Sequence, residues 1–152
     1  MKKLILTLSI ICIGIIAYAQ KTEEGIIRDV FKLEKKATVA EFLQLSNDDA
    51  TKFWPIYDQY EIERSKIGSK RIQLITDYVE KYATMDDVSL DKLVEESGSI
   101  QKSEIALREK FYKKIKKEIS TSIGARFYQI EDAINISVRM SLYQELPMLQ
   151  GK

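Results

Sequence analysis

Side chains that could catalyse a reaction are scarce in this chain. It has no histidine, and its one cysteine, Cys12, lies in an apolar N-terminal stretch. The remaining acid–base candidates are adjacent carboxylates, Asp86 with Asp87 and Glu95 with Glu96. Adjacent residues on a helix do not face each other, so we interpret these pairs as capping or solvated groups. Since nucleophile–base pairs and glycine-rich phosphate loops are also missing from the sequence, we predict no enzyme activity and no cofactor.

Residues 1–19 have the three parts of an export signal. Lys2 and Lys3 form a basic start, residues 4–16 are apolar, and residues 17–19 read Ala-Tyr-Ala, a cleavage pattern. The apolar stretch is shorter than the roughly 20 residues of a membrane-spanning helix. We therefore expect cleavage after Ala19, export to the periplasm and no stable membrane insertion afterwards. An uncleaved anchor is the alternative. Residues 20–152 suit a single domain.

Cleavage would also change the chemistry that remains available. The formal net charge would change from +1 to −1, because Lys2 and Lys3 leave. Cys12 leaves too, so a zinc, copper or nickel site would depend on carboxylates alone, which these metals rarely use. We therefore predict no metal site. An almost neutral exported chain is also not expected to bind nucleic acid.

Aromatic and basic side chains of the central region are the candidates for protein binding. Arg64 and Arg71 fall on an apolar helical stripe, where either their stems cover apolar surface or the stripe is an exposed mixed face. The basic run 110–117 either complements a helix C-terminus or forms a patch for acidic partners, for anionic lipid head groups or for the inner face of a dimer. Six residues are predicted to form the surface that binds other proteins, which are called clients below. They are Tyr60, Arg64, Ile67, Arg71, Phe111 and Lys114.

Apolar residues recur every three or four positions after Gln20, which predicts an all-α fold. Helices are predicted over about 24–43, 46–83, 90–118 and 123–145, with Ser89 or Asp87 capping the third. Two of the four are long, which favours an elongated, curved, antiparallel hairpin-like arrangement. Such a thin layer would leave apolar surface uncovered.

A short pattern occurs twice, 74 positions apart. Each copy has an apolar residue, a hydroxyl N-cap, a small residue, an aromatic pair and an aliphatic residue. In the first copy we expect Ser46 to cap the helix and Asp49 to complete a capping box. Repetition predicts two copies of one structural unit. The copies are Leu45, Ser46, Ala50, Phe53, Trp54 and Ile56, then Ile119, Ser120, Gly124, Phe127, Tyr128 and Ile130.

The first copy resembles the L-T-x-x-Q motif of the Spy/CpxP-like periplasmic proteins, with Ser46 and Asp49 at the threonine and glutamine positions. The second copy, with Ser120 and Ile123 there, is similar but more degenerate. This resemblance implies an all-helical, often dimeric protein that acts as an ATP-independent chaperone in the envelope stress response.

The resemblance also implies particular partners. We expect a homodimer that binds unfolded or partly folded envelope proteins. One alternative is a regulator that docks on the periplasmic domain of a membrane sensor. Another is a metal-stress protein, a branch of the family that relies on histidines or cysteines, which residues 20–152 lack.

Overall fold

Helices account for nearly all of residues 34–149, the part of the chain that the computed structural model describes. Helix α1 covers residues 34–43, α2 Asn47–Lys81, α3 Asp87–Glu118 and α4 Thr121–Glu145, with a 3-10 turn at Tyr82–Thr84. Within that range there is no strand, and the all-α prediction is confirmed. The predicted signal peptide, and the start of the first helix near residue 24, lie outside the described residues.

The chain divides into two compact units, Met1–Phe42 and Leu43–Lys152. In the first unit, Lys35 and Val39 of α1 are buried one helical turn apart. The second unit contains α2, α3 and α4. The prediction of one domain over 20–152 includes residues outside the described range and stays a prediction.

The two hydroxyl caps of the repeat form as the sequence predicts. Ser46 Oγ accepts the Asp49 backbone N–H at 3.2 Å, and Ser120 Oγ accepts the Ile123 N–H at 3.2 Å. Each therefore satisfies a free donor in the first turn of its helix. The predicted capping box differs in detail, because the Asp49 carboxylate accepts from the Ser46 hydroxyl, at 2.8 Å, rather than completing the box at the backbone.

The predicted start of the third helix was wrong. Helix α3 begins at Asp87 rather than Leu90, and its N-cap is Asp86 rather than Asp87 or Ser89. Asp86 lies three residues before Ser89, so its carboxylate reaches both the Ser89 N–H, at 2.9 Å, and the Ser89 hydroxyl, at 2.6 Å. These hydrogen bonds hold the pKa of the Asp86 carboxyl below its ordinary value. Helix α4 likewise begins two residues earlier than predicted, directly after Ser120.

Helices α2 and α4 run parallel to each other, and each is antiparallel to α3. The α2–α3 register is shown by Lys110 Nζ, 2.7 Å from Glu63 Oε2, and by Arg71 Nη2, 2.6 Å from Glu104 Oε2. Between α3 and α4, the rings of Tyr112 and Tyr128 lie 6.4 Å apart. Since α2 and α4 start from the two copies of the repeat and run the same way, the copies lie side by side.

An aromatic cluster fills the space where the two copies meet. The Phe53 ring lies 6.3 Å from that of Phe127, its equivalent in the second copy. Tyr60 lies 5.1 Å from Phe127 and 5.4 Å from Phe111 of α3, both edge-on. Edge-to-face pairs of buried rings contribute beyond their buried area. This cluster, centred on Phe53, Tyr60, Phe111 and Phe127, ties the three helices together at one end.

Gly124 sets the close approach of α4 to α3. A Cβ atom at this position would lie 3.1 Å from Tyr112 Cδ2, 3.2 Å from the Tyr112 carbonyl oxygen and 3.3 Å from the Lys116 nitrogen. Packing therefore favours the small residue of the second copy, since a side chain here would meet Tyr112 and the α3 backbone at shorter than ordinary contact distance.

Candidate functional site

A buried polar cluster next to the aromatic rings contains the most perturbed ionisable groups. The Tyr57 and Tyr60 hydroxyls donate to the two carboxylate oxygens of Glu131, at 2.9 and 2.8 Å. Burial, reinforced by the charge of Glu131, raises the pKa of both tyrosines well above the ordinary value. All three side chains are at most 2% exposed, so a substrate cannot reach them. We interpret this cluster as a structural polar core.

The opposite end of the three helices carries a groove instead of a filled core. Its volume is about 530 Å³, within the range of ligand sites in proteins. The floor and walls are mostly aliphatic, with contributions from Leu74 and Ile75 of α2, Leu93 of α3 and Leu142 of α4. All residues that line the groove belong to the second compact unit. This groove is the candidate functional site.

Two arginines give the groove its electrostatic character. Arg71 is paired with Glu104 at 2.6 Å, and both side chains are largely buried. Arg139 of α4 also lines the groove, and its Nε atom is buried without a hydrogen-bond partner among the described residues. The lining contains no aspartate or glutamate. The groove is therefore an apolar surface with a positive charge at one wall.

The segment after α4 forms one wall of the groove. Pro147 cannot continue the helix, and residues 146–149 (Leu-Pro-Met-Leu) follow it. The Tyr78 hydroxyl donates to the Pro147 carbonyl at 2.5 Å, and the Tyr82 hydroxyl donates to the Met148 carbonyl at 2.7 Å. We call residues 146–149 the tail. It is an apolar segment held by side-chain donors on its backbone oxygens.

Apolar side chains at the rim of the groove are exposed. Val94, Tyr143, Met148 and Leu149 line the groove and are each more than half exposed. Several other exposed apolar residues, among them Ile72, Val79 and Met140, belong to the same halves of the helices. Exposed apolar side chains around a groove in a small protein are typical of an interaction site.

The six residues predicted to bind clients do not form one surface. Tyr60 and Phe111 are each 1% exposed and belong to the aromatic cluster, so they cannot contact a client in this conformation. Their assignment to a surface was therefore wrong, because both rings fill the space between α2, α3 and α4. The sequence leaves open whether this stripe is covered, because a helical pattern does not show where α4 lies.

The other four predicted residues lie in different surroundings. Arg64 pairs with Glu61, where burial opposes the charge but the carboxylate outweighs it and raises the pKa of the guanidinium. Ile67 lines a shallow depression beside Lys110. Lys114 donates to the Gln59 side chain at 2.7 Å. Of the six, Arg71 alone lines the groove.

Sequence reasoning missed most of the groove. A single arginine on a helix, such as Arg139, is ordinary and gives no signal of a site. Pro147 indicated the end of α4, yet nothing in the sequence indicates that Tyr78 and Tyr82 hold the tail beside α2. One sequence feature does point to the groove: residues 146–149, directly after α4, are all apolar, which is unusual for a segment beyond a helix end.

Neither metal ligation nor membrane insertion finds support in the part of the chain that the structure describes. No group of three or more acidic, cysteine or histidine side chains there could hold a metal ion. None of the helices in that part combines the length and apolar character needed to cross a membrane.

Comparisons with known protein families, curated proteins and solved structures find no match to this chain.

Proposed function

We propose that this chain is an exported, ATP-independent chaperone-like protein that binds unfolded or exposed apolar segments of other envelope proteins in the groove. In this proposal it is periplasmic after cleavage behind Ala19, forms a homodimer and acts in an envelope stress response. The sequence resemblance to Spy/CpxP-like proteins supports this class.

The observation that carries the proposal is how two tyrosines hold the tail, which forms one wall of the groove. Tyr78 and Tyr82 donate to carbonyl oxygens of the tail backbone, and every residue has such an oxygen. The surrounding surface is aliphatic and accepts many apolar side chains. A site built from backbone contacts and an apolar floor binds segments of varied sequence, which is what a chaperone without nucleotide requires.

The test is an aggregation assay on the protein purified after export. A chemically unfolded client is diluted into buffer without ATP, and light scattering is followed at increasing ratios of the protein. We expect suppression near stoichiometric amounts. A lack of suppression across several unrelated clients would contradict the proposal.

Two glycines provide a matched pair of variants for this assay. Gly98 lines the groove and Gly68 does not, yet both are inside long helices with open space around a built Cβ atom. Gly98→Trp should therefore place an indole at the groove and reduce suppression several-fold. Gly68→Trp should leave suppression unchanged. Equal activity of both variants would place client binding outside the groove.

The second candidate function is a regulator that docks on the periplasmic domain of a membrane sensor. The exposed rim residues favour it equally, because one dedicated partner could cover them. Titration against a purified sensor domain separates the two functions. Saturable one-to-one binding to one such domain, with no suppression of aggregation, supports the regulator.

A further inference from the structure

One wall of the mostly apolar groove carries an arginine, Arg139, and the lining contains no acidic side chain. We propose that Arg139 binds a carboxylate of the client, so that the groove selects apolar segments that carry an acidic side chain. This inference depends on the proposed function and specifies the chemistry of its client.

The first step concerns the two cations of the groove. Arg71 already has a carboxylate, Glu104, at 2.6 Å. Arg139 has no ion-pair partner among the described residues, and its Nε atom is buried. A guanidinium next to apolar surface is costly unless it is paired and hydrogen-bonded. A carboxylate at this wall would satisfy both the charge and the buried Nε donor of Arg139.

The second step excludes a partner from the neighbouring turns of α4. Residues three and four positions from Arg139 are its neighbours on the helix surface, and they are Asn135, Ile136, Leu142 and Tyr143. None of these is acidic. Since the groove lining also contains no aspartate or glutamate, the carboxylate must come from the occupant.

The third step identifies the occupant as a protein segment. Tyr78, which lines the groove, donates to the Pro147 carbonyl of the tail wall, and Tyr82 beside the groove donates to the Met148 carbonyl, so hydroxyl donors for a peptide backbone stand at this end. Along α3 the lining extends from Leu93 to Gln101, which is about 12 Å at 1.5 Å per residue. That length fits about four residues of extended chain, the same length as the tail. A short apolar segment with one acidic side chain meets both requirements.

The experiment compares two peptides that differ in one atom group. Each is an eight-residue apolar peptide, acetylated and amidated, with either one glutamate or one glutamine. Binding to the protein purified after export is measured by calorimetry at pH 7 and low salt. We expect the glutamate peptide to bind at least about tenfold more tightly, because charged hydrogen bonds are the stronger ones.

Variants assign the preference to one residue. Arg139→Gln should abolish the difference between the peptides and leave binding of the glutamine peptide intact. Lys102→Gln removes the same charge from an exposed position of α3 outside the groove, and should keep the difference. Arg139→Lys should keep part of it, because lysine retains the charge but not the planar fork.

Each other result has a distinct meaning. Equal binding of both peptides to the unmodified protein would overturn this inference and leave the proposed function standing. A preference that persists in Arg139→Gln would overturn the assignment to Arg139. Binding of neither peptide would overturn both proposals. Tight binding of dodecanoate with no peptide binding would assign the groove to a lipid carboxylate and would also overturn both.

Discussion

The hydroxyl of Tyr57 donates a 2.9 Å hydrogen bond to Oε1 of Glu131, and these two residues are separated by 74 positions, the period of the sequence repeat. They therefore occupy equivalent positions in the two copies. The repeat brings α2 and α4 together in parallel. At this position the first copy has a hydrogen-bond donor, Tyr57, and the second copy has an acceptor, Glu131. A symmetric pattern in the sequence thus produces an asymmetric, buried polar contact.

The tyrosines bound to Glu131 predict an alkaline limit to stability. Burial and the charge of Glu131 raise their pKa in the folded protein, so the folded state keeps protons that the unfolded state loses. Their contribution is complete below a pH of about 10, the pKa of an unfolded tyrosine, and decreases as the pH rises above it. Urea midpoints should therefore fall above that pH.

A double variant separates the contribution of these two tyrosines from every other effect of alkaline pH. Tyr57→Phe with Tyr60→Phe should be less stable at pH 8, by about 1–3 kcal/mol for each lost bond to the carboxylate. The stability that the double variant loses between pH 9 and 11 should be smaller than the stability that the unmodified protein loses over the same range. Tyr143→Phe, at a position more than half exposed, should follow the unmodified protein. Parallel alkaline slopes for all three proteins would contradict the prediction.

Local patterns in the sequence were enough to predict that the described residues form helices, but not to place the start of every helix. Ser46 and Ser120 each precede an apolar period of three or four, and the structure places both as caps. The start of α3 was predicted three residues late, because Asp86, Asp87 and Ser89 can all cap a helix. Only the hydrogen-bonded geometry of Asp86 with Ser89 decides among them.

The candidate site could not be predicted in the same way. Whether an apolar stripe is buried depends on which helix crosses it, and this is a tertiary property. Tyr60 and Phe111 were therefore assigned to a surface although they fill the core. Arg71 was correctly singled out as unusual, but its partner Glu104 is 33 positions away in sequence. No local pattern indicates such a pair.

Substitution of glycine by alanine should have opposite effects on stability at different glycines of the described residues. Gly68→Ala and Gly98→Ala add a methyl group in open space, so each should stabilise the protein by about 0.5–1 kcal/mol through helix propensity. Gly124→Ala should destabilise it by about 1 kcal/mol, because the methyl group would lie 3.2–3.3 Å from two backbone atoms of α3, which would have to shift. Urea unfolding followed by circular dichroism measures all three. Stabilisation by Gly124→Ala would show that α3 and α4 are further apart than the structure places them.

The two ion pairs between α2 and α3 should differ in their contributions. Arg71 and Glu104 are 14% and 10% exposed, whereas Lys110 and Glu63 are 59% and 40% exposed. Glu104→Gln leaves a largely buried guanidinium without its charge partner and should cost about 2–4 kcal/mol. Glu63→Gln should cost less than about 1 kcal/mol, because water screens that pair. Equal losses in urea unfolding would show that burial does not govern these pairs.

Removal of the tail beyond its first residue, Leu146, should strengthen client binding. A chain that ends at Leu146 keeps the helix-ending bond from the Leu146 N–H to the Leu142 carbonyl, at 3.2 Å, and loses the carbonyls of Pro147 and Met148. The hydroxyls of Tyr78 and Tyr82 are then free to donate to a client backbone. Because the client no longer competes with an attached segment, its affinity should rise several-fold.

The tail prediction is checked by calorimetry with the apolar glutamate peptide. Circular dichroism of the shortened chain serves as the control, since α2, α3 and α4 should keep their helix content. Adding Tyr78→Phe and Tyr82→Phe to the shortened chain should then remove the gain, because the donors are lost. Weaker binding by the shortened chain would contradict competition for the two hydroxyls and would show that the client needs the wall that the tail forms.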